Sequence, residues 1–213
     1  MGRKVKQEDF FSMEQLTADH VHVHHIDPVE EYEQSKFGMW LFLGTEILLF
    51  GGLFATYAIF RAKYPEMFHL DHLKLDWELG ALNTIILIGS SMTMAIGVTA
   101  SKKGNNKLLI IMLAITIICG LVFGFNKYLE YTAKFAHHIY PDTSIFFSLY
   151  FMMTGLHMLH VFIGLIVLLI IMILAIKGRY SASYNTHVEV GGLYWHLIDL
   201  IWIYLFPLLY LIG

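Results

Sequence analysis

Recurring apolar blocks constrain this 213-residue chain more than any other feature. A helix needs about 20 apolar residues to cross the hydrocarbon core of a bilayer, with a range of about 17 to 25. Of all residues, 57% are hydrophobic and 15% are charged, which is more apolar than a soluble domain allows. We therefore predict an all-α integral membrane protein, a bundle of five transmembrane helices. The predicted spans lie at about 37–60, 79–100, 108–125, 144–176 and 193–212.

The segments between the blocks suggest how the spans are arranged. Residues 1–36 are polar and predict an amino-terminal arm, followed by one membrane domain at 37–213. The short basic turn SKKGNNK makes the second and third spans antiparallel neighbours. The fourth block exceeds the length that crossing requires, so it should tilt or project from the membrane. Pro207 should bend the last span, because proline removes a backbone donor.

Lysine and arginine placement predicts the orientation, because positively charged loops stay on the cytoplasmic side. The first residues lack the apolar stretch of a cleavable signal peptide, so the first span should direct insertion. The amino-terminal side is richer in these residues, which predicts a cytoplasmic amino terminus and an external carboxyl terminus. That side holds Arg3, Lys4, Lys6, Lys36, Lys102, Lys103, Lys107, Lys177 and Arg179, whereas the other holds Arg61, Lys63, Lys74, Lys127 and Lys134.

Composition also excludes several classes of protein. Cys119 is the single cysteine, so neither a disulfide framework nor a thiolate-rich metal site can form. Formal net charge is -3 and there is no long basic stripe, which argues against nucleic-acid binding. A histidine group in the arm could bind a metal, but a solvated acidic arm is the more ordinary interpretation. This group comprises His20, His22, His24 and His25.

Three carboxylates are candidate functional residues. Glu46 lies well inside the first span, where a bare carboxylate costs several kcal/mol, so it should be protonated, paired or wetted. It could exchange protons, or it could be a protonated acid bonded to a neighbouring helix. Glu130 and Glu189 lie near span ends, where we expect ordinary interfacial solvation.

Histidines and one aspartate form a second candidate group. His157 and His160 lie three residues apart on one helical face, and His196 and Asp199 repeat that spacing on the last span. A histidine and a carboxylate on facing helices would satisfy each other's hydrogen bonds, which favours a packing role. Axial ligation of haem by His157 and His196 is the alternative.

Five motifs in order give the chain a resemblance to subunit III of the haem-copper terminal oxidases, such as cytochrome c oxidase. They are FGMWLFLGTEILLFGGLFATY around Glu46, NTIILIGSSMT from Asn83, YLEYTAKF around Glu130, TGLHMLHVFIG from Thr154, and the ending from His187. The resemblance covers Phe37 to Gly213 and does not extend to the arm.

This resemblance implies a bacterial plasma-membrane protein that packs on oxidase subunit I, with subunit II and a small subunit IV as further partners. The chain itself would bind no haem, copper or other metal and would have no catalytic residue. Cytochrome c or another donor complex would act on other subunits. The family binds structural phospholipid in a cleft and supports proton uptake and turnover stability, with Glu46 as the cleft carboxyl. Inter-helix or lipid-headgroup contacts would be Asn83, Glu130, His157, His160, Glu189, His196 and Asp199.

One departure and several alternatives accompany the resemblance. Longer family members have seven spans, whereas this chain has the polar arm in place of the first two. Within the family, the alternatives are a quinol oxidase subunit and an accessory subunit of nitric-oxide reductase. Outside it, a small proton-coupled transporter using Glu46 and a dihaem cytochrome remain open.

Overall fold

The computed structural model describes residues 28–180 and 185–212, which are helical apart from short turns. Side chains are described from residue 33 onward, so the amino-terminal arm to residue 27 and its histidines lie outside the described residues. The α-helices are α1 (Pro28–Lys63), α2 (Pro65–His72), α3 (Trp77–Lys102), α4 (Asn106–Ala136), α5 (Ile145–Ile176) and α6 (Thr186–Phe206), and a π-helix follows (Pro207–Leu211).

Five segments are long and apolar enough to cross a membrane, which confirms the predicted fold class. They lie at Glu33–Lys63, Trp77–Lys102, Asn106–Ala136, Ile145–Ile176 and Thr186–Leu211. Helix α1 begins at Pro28, whereas the sequence assigned residues up to 36 to the polar arm. Proline is favoured in the first turn of a helix, where its missing N–H has no partner to lose.

Short side chains mark where the spanning helices begin. Asp76 accepts a hydrogen bond from the Leu79 N–H at the start of α3, and Asn105 does the same for Leu108 at the start of α4. These caps satisfy backbone donors that lack a partner within the helix. Gly104 follows α3 with a φ of 70°, a conformation that glycine adopts without strain.

Helix α4 is longer than its predicted span of 108–125, because it continues to Ala136. The predicted spans placed residues 126–136 in the connection between the third and fourth spans. Their polar side chains instead repeat at helical spacing, and Lys127, Glu130 and Lys134 are all buried on the face that includes Phe123. An average hydropathy over the segment does not reveal this burial, because it contains no information on which face of the helix a charged residue occupies.

Helices α3, α4, α5 and α6 form a four-helix arrangement. Helix α4 packs between α3 and α5, and α6 also packs against both α3 and α5. The predicted antiparallel pairing of the second and third spans is therefore confirmed. Helix α1 contacts α5 and α6 through large side chains, including Phe42 against Tyr194 and Phe54 against Tyr204. Much of its apolar surface is left uncovered within the chain, and Leu48 is 77% exposed.

The last span changes geometry at Pro207, where α6 gives way to the π-helix. Proline cannot donate the backbone hydrogen bond that an α-helix requires, so a change of helical geometry here has a direct cause. Two side chains of α1 hold the π-helix: Tyr57 donates to the Leu208 carbonyl at 2.9 Å, and Arg61 donates to the Ile212 carbonyl at 2.7 Å. The π-helix is thereby fixed to α1.

Candidate functional site

The carboxylate predicted inside the first span faces a histidine on another helix. Glu46 on α1 is 9% exposed, and its Oε2 lies 3.0 Å from Nε2 of His160 on α5. The contact is too bent for a regular hydrogen bond, since Oε2 has no partner by hydrogen-bond geometry. Both residues lie near the midpoints of their helices, where the hydrocarbon layer excludes bulk water.

A second contact of His160, with a backbone carbonyl, indicates where this pair carries its protons. His160 Nδ1 lies 2.8 Å from the Leu156 carbonyl, which can only accept a hydrogen bond, so Nδ1 carries a proton. With one further proton, the pair has two charge arrangements: imidazolium with carboxylate, or neutral imidazole with carboxylic acid. Glu46 and His160 can thus hold one proton between them without leaving an isolated charge in the membrane.

Neighbouring groups fix the histidine of the pair. The Phe50 ring packs edge-on against the His160 ring at 5.6 Å, and the Tyr194 hydroxyl donates to the His160 carbonyl at 3.2 Å. On α1, an added Cβ at Gly51 or Gly52 would meet nothing within 4 Å. The pair therefore lies at the junction of α1, α5 and α6, beside a part of α1 that can be closely approached by lipid or another subunit.

The predicted pairing of histidine with Asp199 is not made. Asp199 is 2% exposed, and its Oδ2 lies 3.5 Å from Ser90 Oγ on α3. His196 Nδ1 lies 2.6 Å from Ser91 Oγ. Both residues of α6 therefore bond to serines of α3, because helical geometry directs this face of α6 to α3 and not to His157.

His157 is fully buried among aromatic rings. Its ring lies 5.7 Å from Phe123 and 5.3 Å from Trp202, and neither of its nitrogens has a hydrogen-bond partner among the residues that the structure describes. His196 is bonded to Ser91 in separate surroundings. The two residues of the haem alternative are thus engaged in different contacts.

A second buried charged cluster, formed by Lys127 and Glu130, lies near His157 and Trp202. From the sequence, we expected Glu130 to be solvated at the end of a span. Lys127 Nζ lies 2.7 Å from Glu130 Oε2, and both side chains are nearly inaccessible. Glu130 Oε1 accepts from the hydroxyls of Tyr150 at 2.9 Å and Tyr210 at 2.7 Å. The ammonium of Lys127 also lies 4.5 Å from the ring of Trp202, a cation–π contact. In the sequence, the spacing of three residues between Lys127 and Glu130 was the feature that could have indicated this ion pair.

The remaining predicted residues also contact other helices. Asn83 on α3 is fully buried, and its Oδ1 accepts from Asn126 Nδ2 at 2.8 Å. Glu189, near the start of α6, lies 2.9 Å from Lys102 and 3.7 Å from Lys36. Instead of being simply solvated, Glu189 links the start of α6 to the end of α3 and to α1, and its negative charge is favourable near a helix amino terminus.

A family model described as cytochrome c oxidase subunit III matches residues 12–213. The chain belongs to the cytochrome c oxidase subunit III family. It is therefore subunit III of a haem-copper terminal oxidase and a multi-pass membrane protein of an oxidase complex. The match begins within the arm, so the expectation that the family pattern starts only at Phe37 was wrong.

Relatives of this subunit III carry both kinds of oxidase name. Cytochrome c oxidase subunit 3 of Thermostichus vulcanus is 35% identical over 199 residues, which cover 92% of this chain and 93% of the relative. Cytochrome bo(3) ubiquinol oxidase subunit 3 of Pseudomonas aeruginosa is 30% identical over 219 residues, covering 100% and 99%. A probable quinol oxidase subunit 3 of Staphylococcus epidermidis is 35% identical over 191 residues, covering 86% and 91%.

Family membership narrows the alternatives. It decides against the transporter, because the chain is a component of a terminal oxidase. In the described part of this subunit III, there is no group of three or more His, Cys, Asp or Glu side chains that could hold a metal ion. The described residues place an acid and a base in contact at Glu46 and His160, and other buried polar contacts join the helices.

Proposed function

We propose that this chain is the non-redox subunit III of a bacterial cytochrome c oxidase, which reduces O₂ to water. It packs on subunit I, binds structural phospholipid and supports proton uptake and turnover stability. The relatives named as cytochrome c oxidase subunit 3, at 35% identity over 92% of this chain, support cytochrome c as the donor. The Pseudomonas aeruginosa relative, which aligns with the whole chain, favours a quinol oxidase as the second candidate.

The identity of the accompanying subunit II distinguishes the two donors. We expect the complex purified in mild detergent through a tag on this chain to contain a subunit II with a dinuclear copper site, which accepts electrons from cytochrome c. Mass spectrometry of the partners and the near-infrared absorbance of that copper centre are the measurements. A complex that lacks the copper site and oxidises quinol would overturn the cytochrome c assignment in favour of the second candidate.

The observation that carries the proton role is the Glu46–His160 contact of 3.0 Å at the junction of three helices. An acid and a base in contact at mid-membrane depth can share one bound proton, and the protonated pair then carries no net charge in the hydrocarbon. We assign Glu46 the role of proton-holding and lipid-cleft carboxyl, with His160 as its positioning partner. In the orientation favoured by lysine and arginine placement, the amino terminus is cytoplasmic and the carboxyl terminus external.

Glu46→Gln tests this role. We expect the complex to assemble with unchanged haem spectra, because glutamine preserves the size of the side chain. Proton uptake should slow several-fold or turnover should end sooner, because an amide cannot exchange the proton. The measurements are proton uptake in reconstituted vesicles and the number of turnovers before inactivation.

Glu66→Gln provides the matched control, since Glu66 is an exposed carboxylate in the first turn of α2. His160→Gln should reproduce the kinetic effect of Glu46→Gln if the pair acts as a unit. Unchanged proton uptake and inactivation in Glu46→Gln would remove the proposed role, whatever the donor proves to be.

A further inference from the structure

A group of polar side chains lies at mid-membrane depth between α3 and α6, apart from the contact of Glu46 with His160. Ser90 and Ser91 lie near the midpoint of α3, and Asp199 lies near the midpoint of the last span. Bulk water does not reach this depth, so polar atoms here need partners inside the protein. An ionisable residue in such a place is a candidate for a function of its own.

The hydrogen bonds around Ser90 indicate that Asp199 carries a proton. Ser90 has one hydroxyl proton, and its Oγ lies 2.8 Å from the Leu87 carbonyl oxygen, which can only accept. The same Oγ accepts the Nε1 proton of Trp195 at 3.0 Å. Asp199 Oδ2 is farther from Oγ, at 3.5 Å, so the hydroxyl proton belongs to the Leu87 carbonyl. The remaining lone pair of Oγ faces Asp199, which therefore supplies the proton of that contact.

The charges around Asp199 lead to the same conclusion. Its side chain is buried, and no lysine, arginine or histidine of the described residues forms an ion pair with it. Cys119 of α4 interacts with Asp199 electrostatically, but a thiol provides no positive charge. An unpaired carboxylate buried in hydrocarbon is strongly unfavourable, whereas the neutral acid needs no counter-charge.

Ser91 connects this acid to a histidine. Ser91 Oγ lies 2.6 Å from Nδ1 of His196. Ser91 also interacts with the Asp199 carboxyl, although this contact falls short of a regular hydrogen bond. A hydroxyl can accept a proton on one side while it donates its own on the other. His196 is half-buried, and Leu200 and Ile203 on the same face of α6 are exposed. His196 therefore lies at the outer surface of the bundle.

We propose that Asp199, Ser91 and His196 form a second proton-binding site, in which Asp199 holds the proton and His196 exchanges it with the surroundings of the bundle. Uptake begins with the Asp199 carboxylate and a neutral His196 protonated at Nδ1. A proton from water or from an acidic group of a neighbouring subunit binds Nε2, and the Nδ1 proton passes to Ser91 Oγ. Ser91 then gives its own hydroxyl proton to Asp199. One proton enters, the net charge of the site changes from negative to neutral, and release is the reverse.

Infrared spectroscopy of the full chain in mild detergent tests the site, because a protonated carboxyl has a C=O stretching band that a carboxylate lacks. Every sample carries Glu46→Gln, which removes a second mid-membrane carboxyl from the spectrum and makes the result independent of the role proposed for Glu46. We expect a protonated-carboxyl band that disappears in Asp199→Asn. After transfer to D₂O, the shift of this band measures how fast the Asp199 proton exchanges.

Two adjacent serines provide matched variants. Ser91→Ala and His196→Gln should each slow the exchange by about tenfold or more, because each removes a positioned proton-transfer group. Ser90→Ala is the control: it should shift the band, because Asp199 loses its acceptor, without slowing the exchange. Absence of a band that depends on Asp199 would show an ionised carboxyl and overturn the proposal. Exchange that either Ser91→Ala or His196→Gln leaves unchanged, or that Ser90→Ala slows equally, would also overturn it.

Discussion

Replacing Glu130 with Ala is expected to destabilise the helical bundle by about 3–5 kcal/mol, because it leaves Lys127 buried without its counter-charge. Lys127 is 1% exposed, and its ammonium lies 2.7 Å from the Glu130 carboxylate. Tyr150 and Tyr210 would lose their shared acceptor as well. The measurement is loss of helical circular dichroism as the chain is titrated with sodium dodecyl sulfate in mixed micelles.

A double-mutant cycle distinguishes a buried pair from two independent polar residues. We expect the double variant Lys127→Met with Glu130→Gln to lose less stability than the two single variants summed, since the charge of Lys127 is removed together with its nearest counter-charge. Glu66→Ala serves as the control, because an exposed carboxylate in the first turn of a helix contributes at most about 1 kcal/mol. Additive losses would contradict the coupling inferred from the structure.

The location of the spans could be predicted from sequence, because hydrocarbon thickness imposes a minimum length on any apolar helix. Glu46 could be singled out for the same reason, since an acid within an apolar run needs a special environment. Its partner could not be chosen, because helical periodicity assigns His157 and His160 to one face without showing which of them faces α1. The structure gives that contact to His160 and surrounds His157 with aromatic rings.

The buried charges of α4 could not be predicted from the sequence. The average hydropathy of their segment is lowered by Lys127, Glu130 and Lys134, so the segment resembled a solvated loop between spans. Only tertiary packing shows that this face of α4 is turned toward Tyr150 of α5 and Tyr210 of the π-helix. Likewise, bonding of Asp199 toward Ser90 depends on the rotation of α6 relative to α3, which no spacing within either helix determines.

Trp195 lies in a slot formed by two glycines on different helices. An added Cβ at Gly120 of α4 would lie 2.8 Å from the indole ring, and one at Gly164 of α5 would lie 3.1 Å from it. The indole cannot easily move aside, because its Nε1 donates to Ser90 Oγ at 3.0 Å. In a bilayer, where lipid tails are as apolar as the core, this close approach of helices is a principal source of association. Gly120 and Gly164 therefore set the packing of α6 in the bundle.

Alanine at Gly120 and Gly164 should therefore destabilise the chain, although alanine is the better helix former. We expect about 1–3 kcal/mol for each site, the usual effect of overpacking a close-packed core. The same mixed-micelle titration measures the loss of stability, and a shift in tryptophan emission should accompany it, because Trp195 must leave its position.

Gly124→Ala is the matched control one turn along α4, where an added Cβ makes an ordinary contact of 3.6 Å with Met158. There, alanine should stabilise the helix by up to about 1 kcal/mol. If Gly120→Ala and Gly124→Ala changed stability in the same direction and by similar amounts, the slot would not govern the packing of α6.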